Sequence, residues 1–281
     1  MRATSAFTGA ALLSGMLAYL LPGAGLAVVT GAVGLAVVGG VFAVRRTAQR
    51  RSHLIRVNDD AVALINSGRL REACSTLDAL AGEAREDPAL HALIAYNRGV
   101  ATLRMGDAPA ALSMLEAVAG SRWLNDPELP YRELLALALS QAYWSLGDPG
   151  TARAYLDTAR ETLSPARAGL TVSMEAVLAL SMGQTPLALR VLREGRSAAE
   201  GVLVASQLRT LRVLEAFALT RLDPAHEHGD EVRRLLDGAR PVQPWDHVGL
   251  RSVWPEFDAF CRIHGLEAPG EHRGDRAAWV A

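Results

Sequence analysis

One short pattern occurs four times along this chain, and it constrains the fold more than any other feature. In each copy a glycine is followed by an alanine five residues later and by a leucine four residues after that. The copies are Gly68–Ala73–Leu77, Gly106–Ala111–Leu115, Gly147–Ala152–Leu156 and Gly183–Ala188–Leu192. A small residue also lies seven positions before each glycine: Ala61, Gly99, Ser140 and Ala176. The glycines are 38, 41 and 36 residues apart, which predicts repeated helix pairs that share a core with their neighbours.

The positions within each copy predict how one helix follows another. The glycine ends the first helix, because the left-handed backbone needed there costs least without a Cβ atom. A capping oxygen near a first-turn proline then starts the second helix, as in Asp107-Ala108-Pro109, Asp148-Pro149 and Thr185-Pro186. The alanine is predicted to face the small residue of the first helix, and the leucine to fill the space between helices. Between units, the steps Asp87-Pro88, Asp126-Pro127 and Ser164-Pro165 end one pair and begin the next.

These residues resemble the tetratricopeptide repeat (TPR) family, whose pattern combines a small residue in the first helix with alanine and a large apolar residue in the second. The resemblance covers residues 52–200; Tyr143 matches the family's first-helix tyrosine, whereas the leading tryptophan is absent. It implies an all-α fold, an α-solenoid of antiparallel helix pairs wound as a TPR-like superhelix. We predict a repeat domain at 52–240, capping helices at 241–266 and a flexible tail at 267–281.

The N-terminal region is apolar in a way that suits a membrane. Residues Thr4 to Val44 carry no charge, and Pro22-Gly23 divides them into two segments, 4–21 and 24–44. Each segment is close to the roughly 20 residues that cross a bilayer. We therefore predict a transmembrane helical hairpin at 1–44 and a basic juxtamembrane segment at 45–57. The alternative is a signal peptide cleaved near Gly23-Ala24-Gly25, which would leave a single span.

Arginines follow the second apolar segment directly. By the positive-inside rule they place the following chain in the cytoplasm, and the sequence predicts a bacterial-type inner (cytoplasmic) membrane protein. Four of them are predicted to contact lipid head groups: Arg45, Arg46, Arg50 and Arg51. Residues 59–281 hold 30 acidic side chains against 23 arginines, a balance that does not favour nucleic acid as a partner.

No pattern in the chain predicts catalysis, a cofactor or a metal site. His226 and His228 are two residues apart, so on a helix they point to different sides. Asp246-His247 flanks a turn and is interpreted as a helix cap. Cys74 and Cys261 match no disulfide or metal spacing and are predicted to be small buried residues.

The remaining candidate for function is the concave face, which the first helix of each pair lines in the TPR family. Counting back 13, 10, 6, 3 and 2 residues from each turn glycine traces this face, and it is mainly apolar. Such a face suits an amphipathic helix or an extended apolar segment of a partner. The predicted partner-binding residues are Asn58, Asn66, Tyr96, Val100, Leu103, Arg104, Leu137, Gln141, Trp144 and Val177. Alternatively, the terminal helix of the chain itself, or tight superhelical winding, buries this face.

The sequence as a whole predicts a membrane-anchored scaffold or adaptor of the TPR type. Its expected partners are another protein or peptide and the lipid bilayer, and its expected role is protein–protein interaction on the cytoplasmic side. The alternative is a non-catalytic assembly or regulatory subunit of a membrane enzyme or transport complex.

Overall fold

A computed structural model of the chain describes residues 24–121, 131–223, 227–243 and 246–266. Within these ranges all regular elements are helical. The α-helices are α1 (Ala24–Asn66), α2 (Leu70–Glu83), α3 (Pro88–Arg104), α4 (Ala108–Ala119), α5 (Arg132–Ser145), α6 (Pro149–Thr162), α7 (Val172–Ser181), α8 (Thr185–Glu194), α9 (Arg196–Glu200), α10 (Ala205–Leu222), α11 (Gly229–Asp237), α12 (Val248–Val253) and α13 (Pro255–Ile263). A 3-10 helix covers Pro165–Leu170. Backbone contacts divide the chain into two compact units, and the boundary in the sequence lies between Arg56 and Val57.

The first unit contains the N-terminal part of α1. Arg45, Arg46, Arg50 and Arg51 lie on this helix with exposed side chains. Among the residues that the structure describes, no helix is both long enough and apolar enough to cross a membrane. The predicted span at 4–21 lies outside the described residues, as do most side chains of the predicted span at 24–44.

The second unit is built from the predicted helix pairs. Gly68, Gly106, Gly147 and Gly183 have φ angles of 76°, 91°, 82° and 74°, so each ends a first helix in the left-handed conformation. This confirms the role predicted for the four glycines. The four leucines of the pattern are at most 2% exposed, as predicted for residues that fill the space between helices: Leu77, Leu115, Leu156 and Leu192.

Small residues in the first helices allow the close approach that the pattern predicted. A Cβ atom added to Gly99 would lie 2.9 Å from Cδ2 of Leu115, so no larger residue fits there without a shift. In the next pair the hydroxyl of Ser140 donates a hydrogen bond of 2.7 Å to the carbonyl of Ala152. Both contacts join the two helices of a pair at the predicted positions.

Two of the predicted helix caps, Asp107 and Asp148, are present, and Asp87 before Pro88 also caps its helix. The carboxylates of Asp87, Asp107 and Asp148 accept hydrogen bonds from backbone amides three residues later, at 3.1, 3.1 and 2.9 Å. These bonds satisfy amides that would otherwise lack partners in the first turn.

The fourth repeat departs from the prediction at both of its helix starts. Thr185 is already the first residue of α8, and the side chain of Gln184 before it makes no capping bond, so the predicted Thr185 cap is wrong. Ser164-Pro165 opens the 3-10 helix, and α7 begins only at Val172. The 3-10 helix before α7 has a packing reason, because Gly169 within it lies directly against the backbone of α9.

The C-terminal helices join the core of the last repeats. Phe217 of α10 meets three aromatic rings edge to face: Trp254 at 5.2 Å, Phe257 at 5.4 Å and Phe260 at 5.3 Å between ring centroids. Phe257 is fully buried. Trp254, Phe257 and Phe260 therefore form part of one core with α10.

Candidate functional site

The concave face of the second unit contains a partly open cavity of about 310 Å³. First helices α3, α5 and α7 line one side, and residues at the start of α10 and α12 line the other. Seven of the ten predicted binding residues lie at this cavity: Tyr96, Val100, Arg104, Leu137, Gln141, Trp144 and Val177. The fold thus brings side chains from three separate repeats into one site.

The other three predicted residues lie elsewhere. Asn58 is 3% exposed and accepts a hydrogen bond of 2.8 Å from the side-chain amide of Asn97, which ties α1 to α3. Leu103 is buried in the core, and Asn66 is an exposed residue at the end of α1. Asn58 is therefore engaged within the chain itself, and its amide oxygen serves to join neighbouring repeats.

The C-terminal segment covers part of the concave face. Val248, Gly249 and Leu250 of α12 line the cavity opposite the first helices. Trp254 follows them and meets Trp144 of α5 edge to face, with ring centroids 5.8 Å apart. Trp144 is only 8% exposed as a result. Of the two arrangements that the sequence left open, the structure shows the terminal segment of the chain on this part of the face.

Arg104 joins two successive repeats at the edge of the cavity. Its Nη1 donates a hydrogen bond of 3.1 Å to the carbonyl of Ile65, in the last turn of α1. A cation is favourable there, since the last carbonyls of a helix carry partial negative charge. Burial lowers the pKa of Arg104 from its ordinary value. Arg221 repeats the arrangement on the carbonyl of Leu180, also at 3.1 Å.

The polar end of the cavity is built around Asp246 and His247. Asp246 accepts hydrogen bonds from Nε and Nη2 of Arg209, at 2.9 and 3.1 Å, and from the backbone amide of Gln243 at 3.0 Å. His247 follows in the left-handed conformation, with φ of 64°, and its Nδ1 lies 3.1 Å from Oγ1 of Thr210. Both side chains are buried.

Sequence reasoning missed this cluster. It interpreted Asp246-His247 as a cap at a turn, and His247 does immediately precede α12, but without a side-chain capping bond. The partners Arg209 and Thr210 are each 37 positions away, so no local signal points to them. Among the described residues, no group of three or more histidine, cysteine or acidic side chains is placed to hold a metal ion.

Burial of His247 has a consequence for stability at low pH. Burial lowers the pKa of His247 to about 4, against 6.5 for an ordinary histidine, although the neighbouring Asp246 opposes the shift. Above pH 6.5 both the folded and the unfolded chain hold a neutral imidazole. As the pH falls from 6.5 towards 4, His247 binds a proton in the unfolded chain but not in the folded chain. The free energy of unfolding therefore falls.

We expect His247 to contribute a loss of about 2–3 kcal/mol between about pH 7 and about pH 4.5. Urea unfolding of the wild-type protein and of His247→Asn at both pH values measures this contribution. Asparagine does not titrate and tolerates a positive φ, so the variant should lose less stability on acidification. Equal losses in the two proteins would contradict the assignment.

Comparison with known proteins agrees with the repeat architecture. Residues 134–158, within α5 and α6, match the family model described as Tetratricopeptide repeat. One similar solved structure contains the nearly identical TPR-like repeats of a protein from Podosopora anserina assigned as a kinesin light chain. The two chains are 19% identical with a TM-score of 0.44, and the match covers 67% of this chain and 94% of that one. Another is the TPR2AB domain of yeast Sti1 in complex with pHSP90, with 16% identity and a TM-score of 0.33 over 75% of this chain and 85% of that one. No curated protein matches the sequence at a significant level. The family match lies within one helix pair, α5 and α6, and supports the TPR family for that pair.

Proposed function

We propose that the protein is a TPR-type scaffold whose concave face binds a segment of another protein. The observation that carries the proposal is the convergence of α3, α5 and α7, three first helices of successive repeats, on one cavity. Repeat proteins of this kind use extended concave surfaces to bind partners and are generally non-catalytic.

The chemistry of the face suits a peptide segment with apolar side chains. The walls of the cavity include the apolar side chains of Val100, Leu134 and Leu137, and the side-chain amide of Gln141 lies among them. An amide can pair with the backbone of a bound chain, while apolar walls accept its side chains. Val248 and Leu250 of α12 lie on this face, which supports a short helical segment as the kind of partner that it would accept.

Photo-crosslinking in intact cells tests this proposal. A benzoylphenylalanine side chain is introduced into the full chain at Tyr96 or Gln141, and at Arg190 as a control. Tyr96 and Gln141 line the cavity, whereas Arg190 is an exposed residue of the second helix α8. We expect the same partner adduct from the first two positions and none from Arg190. Equal adducts from all three positions, or adducts only within the chain, would rule out a partner on the concave face.

Membrane attachment through residues 1–44 is also part of the proposal, with the repeat domain on the cytoplasmic side. Its support is the sequence, namely the uncharged stretch from Thr4 to Val44 and the arginines that follow it. The exposed side chains of Arg45, Arg46, Arg50 and Arg51 on α1 would then contact lipid head groups. An alkaline wash of membranes from the same cells should leave the protein in the pellet. Its release into the wash would contradict the anchor.

A further inference from the structure

The cavity on the concave face contains a buried polar atom that no described residue satisfies. Within the described ranges, Nε2 of His247 has no hydrogen-bond partner, although its residue is only 6% exposed and lines the cavity. A buried polar group without a partner costs about 1–3 kcal/mol, and such atoms are rare in folded proteins. A hydrogen-bond donor from outside the described residues, either a ligand or a water molecule, would satisfy this atom.

The hydrogen bonds around His247 assign the proton on its ring. Thr210 has one hydroxyl hydrogen and lies within 3.1 Å of both the backbone carbonyl of Ser206 and Nδ1 of His247. A carbonyl can only accept, and threonine hydroxyls in helices often donate to the carbonyl at i−4, here that of Ser206. When the hydroxyl hydrogen is used in this way, Nδ1 carries the ring hydrogen and donates it to Thr210. Nε2 is left with a lone pair, and it can only accept.

The imidazole is held firmly in this orientation. Its backbone is fixed in the left-handed conformation next to Asp246, which Arg209 and Gln243 bind from two sides. The ring also packs edge to face on Phe257, with centroids 6.3 Å apart. A site that is organised before binding loses little entropy when a ligand arrives.

The rest of the cavity indicates the kind of molecule that fits. Its volume of about 310 Å³ is at the lower end of the range for small-molecule sites. Apolar side chains from four helices form much of its lining, namely Val100, Leu134, Leu137, Val177 and Leu250, and neutral polar side chains such as Gln141, Ser173 and Gln207 complete it. The two charged side chains at its edge are already engaged, Arg104 with the carbonyl of Ile65 and Asp246 with Arg209. The lone pair of Nε2 would also repel an anion, so the surroundings favour an uncharged ligand.

We propose that this cavity binds a small, largely apolar, uncharged molecule that donates one hydroxyl or N–H hydrogen to Nε2 of His247. This site lies in the same cavity as the surface proposed for a protein partner, so the small molecule and the partner would exclude one another there. The proposal does not depend on that function, because its test uses the chain alone. A ligand bound here contacts both the first helices and α12, since both line the cavity. It would therefore hold the C-terminal segment on the concave face.

Indole and indene form a matched pair of probes for this site, because they share a shape and differ in one N–H group. The full chain is labelled with ¹⁵N-histidine, and binding of each probe is followed by NMR in the same detergent. We expect the spectrum to show the hydrogen on Nδ1 of His247, and the Nε2 signal to shift with indole. Indole should bind about tenfold more tightly than indene, in line with one hydrogen bond to a buried acceptor.

Two variants separate the site from general effects. His247→Asn should lose the preference for indole over indene. His264→Asn removes a partly buried histidine that lies outside this cavity, so it should keep the preference. Equal binding of both probes, binding of neither, or a hydrogen on Nε2 of the wild-type protein would each overturn the proposal. Because the last two outcomes are read from the unaltered chain, the test holds even if His247→Asn fails to fold.

Discussion

Gly169→Ala is expected to destabilise the second unit by about 3 kcal/mol, the upper end of the usual cost of overpacking. A Cβ atom at this position would lie 2.2 Å from the carbonyl oxygen of Ala198 and 2.5 Å from the amide nitrogen of Ala199. Both neighbours are backbone atoms, so no side chain can rotate away to make room. The 3-10 helix would have to separate from α9, and urea unfolding of the full chain should show the loss.

Gly82→Ala is the matched control, because it makes the same chemical change at a position where a Cβ atom has free space. Gly82 lies within α2, and a Cβ atom there would have no neighbour within 4 Å. Alanine loses less backbone entropy than glycine on entering a helix, so this variant should gain about 0.5–1 kcal/mol. Opposite signs for the two substitutions would confirm the close contact at Gly169. Similar small effects would show that the 3-10 helix does not pack tightly on α9.

Phe257→Ala should have a comparable or larger effect, with a loss of about 3–5 kcal/mol, which is typical for removing a buried phenylalanine. The ring of Phe257 is fully buried, stacks on Trp254 at 5.7 Å and meets Phe217 at 5.4 Å. Its loss would leave a cavity between α10 and α13. Thermal unfolding followed by circular dichroism measures the change in a single transition if the C-terminal segment unfolds together with the repeats.

Ile263→Ala removes an apolar side chain from the same helix, but Ile263 is 80% exposed. It should change the free energy of unfolding by no more than about 0.5 kcal/mol. If Phe257→Ala behaved like Ile263→Ala, the C-terminal helices would be a loosely attached segment rather than part of the core. The concave face would then be open for most of the time, and a partner could bind it without competing with α12.

The repeat architecture could be predicted because its determinants are local. A turn glycine with positive φ, a capping aspartate and a small residue opposite an alanine each act within one helix pair. The structure shows these features at Gly106, Asp107 and Gly99, for example. Where a long-range contact overrode the local pattern, the prediction failed. The fourth repeat starts with a 3-10 helix because Gly169 must pass close to α9.

Only one side of the candidate site could be predicted from the sequence. The helical period placed Tyr96, Gln141 and Val177 on the concave face, and the structure brings all three to one cavity. The other side comes from the segment 246–250, whose position depends on aromatic contacts with α5 and α10. Sequence patterns do not reveal which aromatic residues will meet across such separations, so His247 was interpreted from its turn alone.

The sequence by itself determined the helix pairs, their order and the face that each first helix presents, since these follow from interactions between residues close together in the chain. Only the tertiary structure decided what lies on that face. Trp254 and Phe257 pack against α10 and bury a large aromatic surface. This packing places α12 on the concave face. It also brings His247 to the cavity, where Nε2 has no hydrogen-bond partner among the described residues. These outcomes depend on packing between distant segments, which no local pattern records.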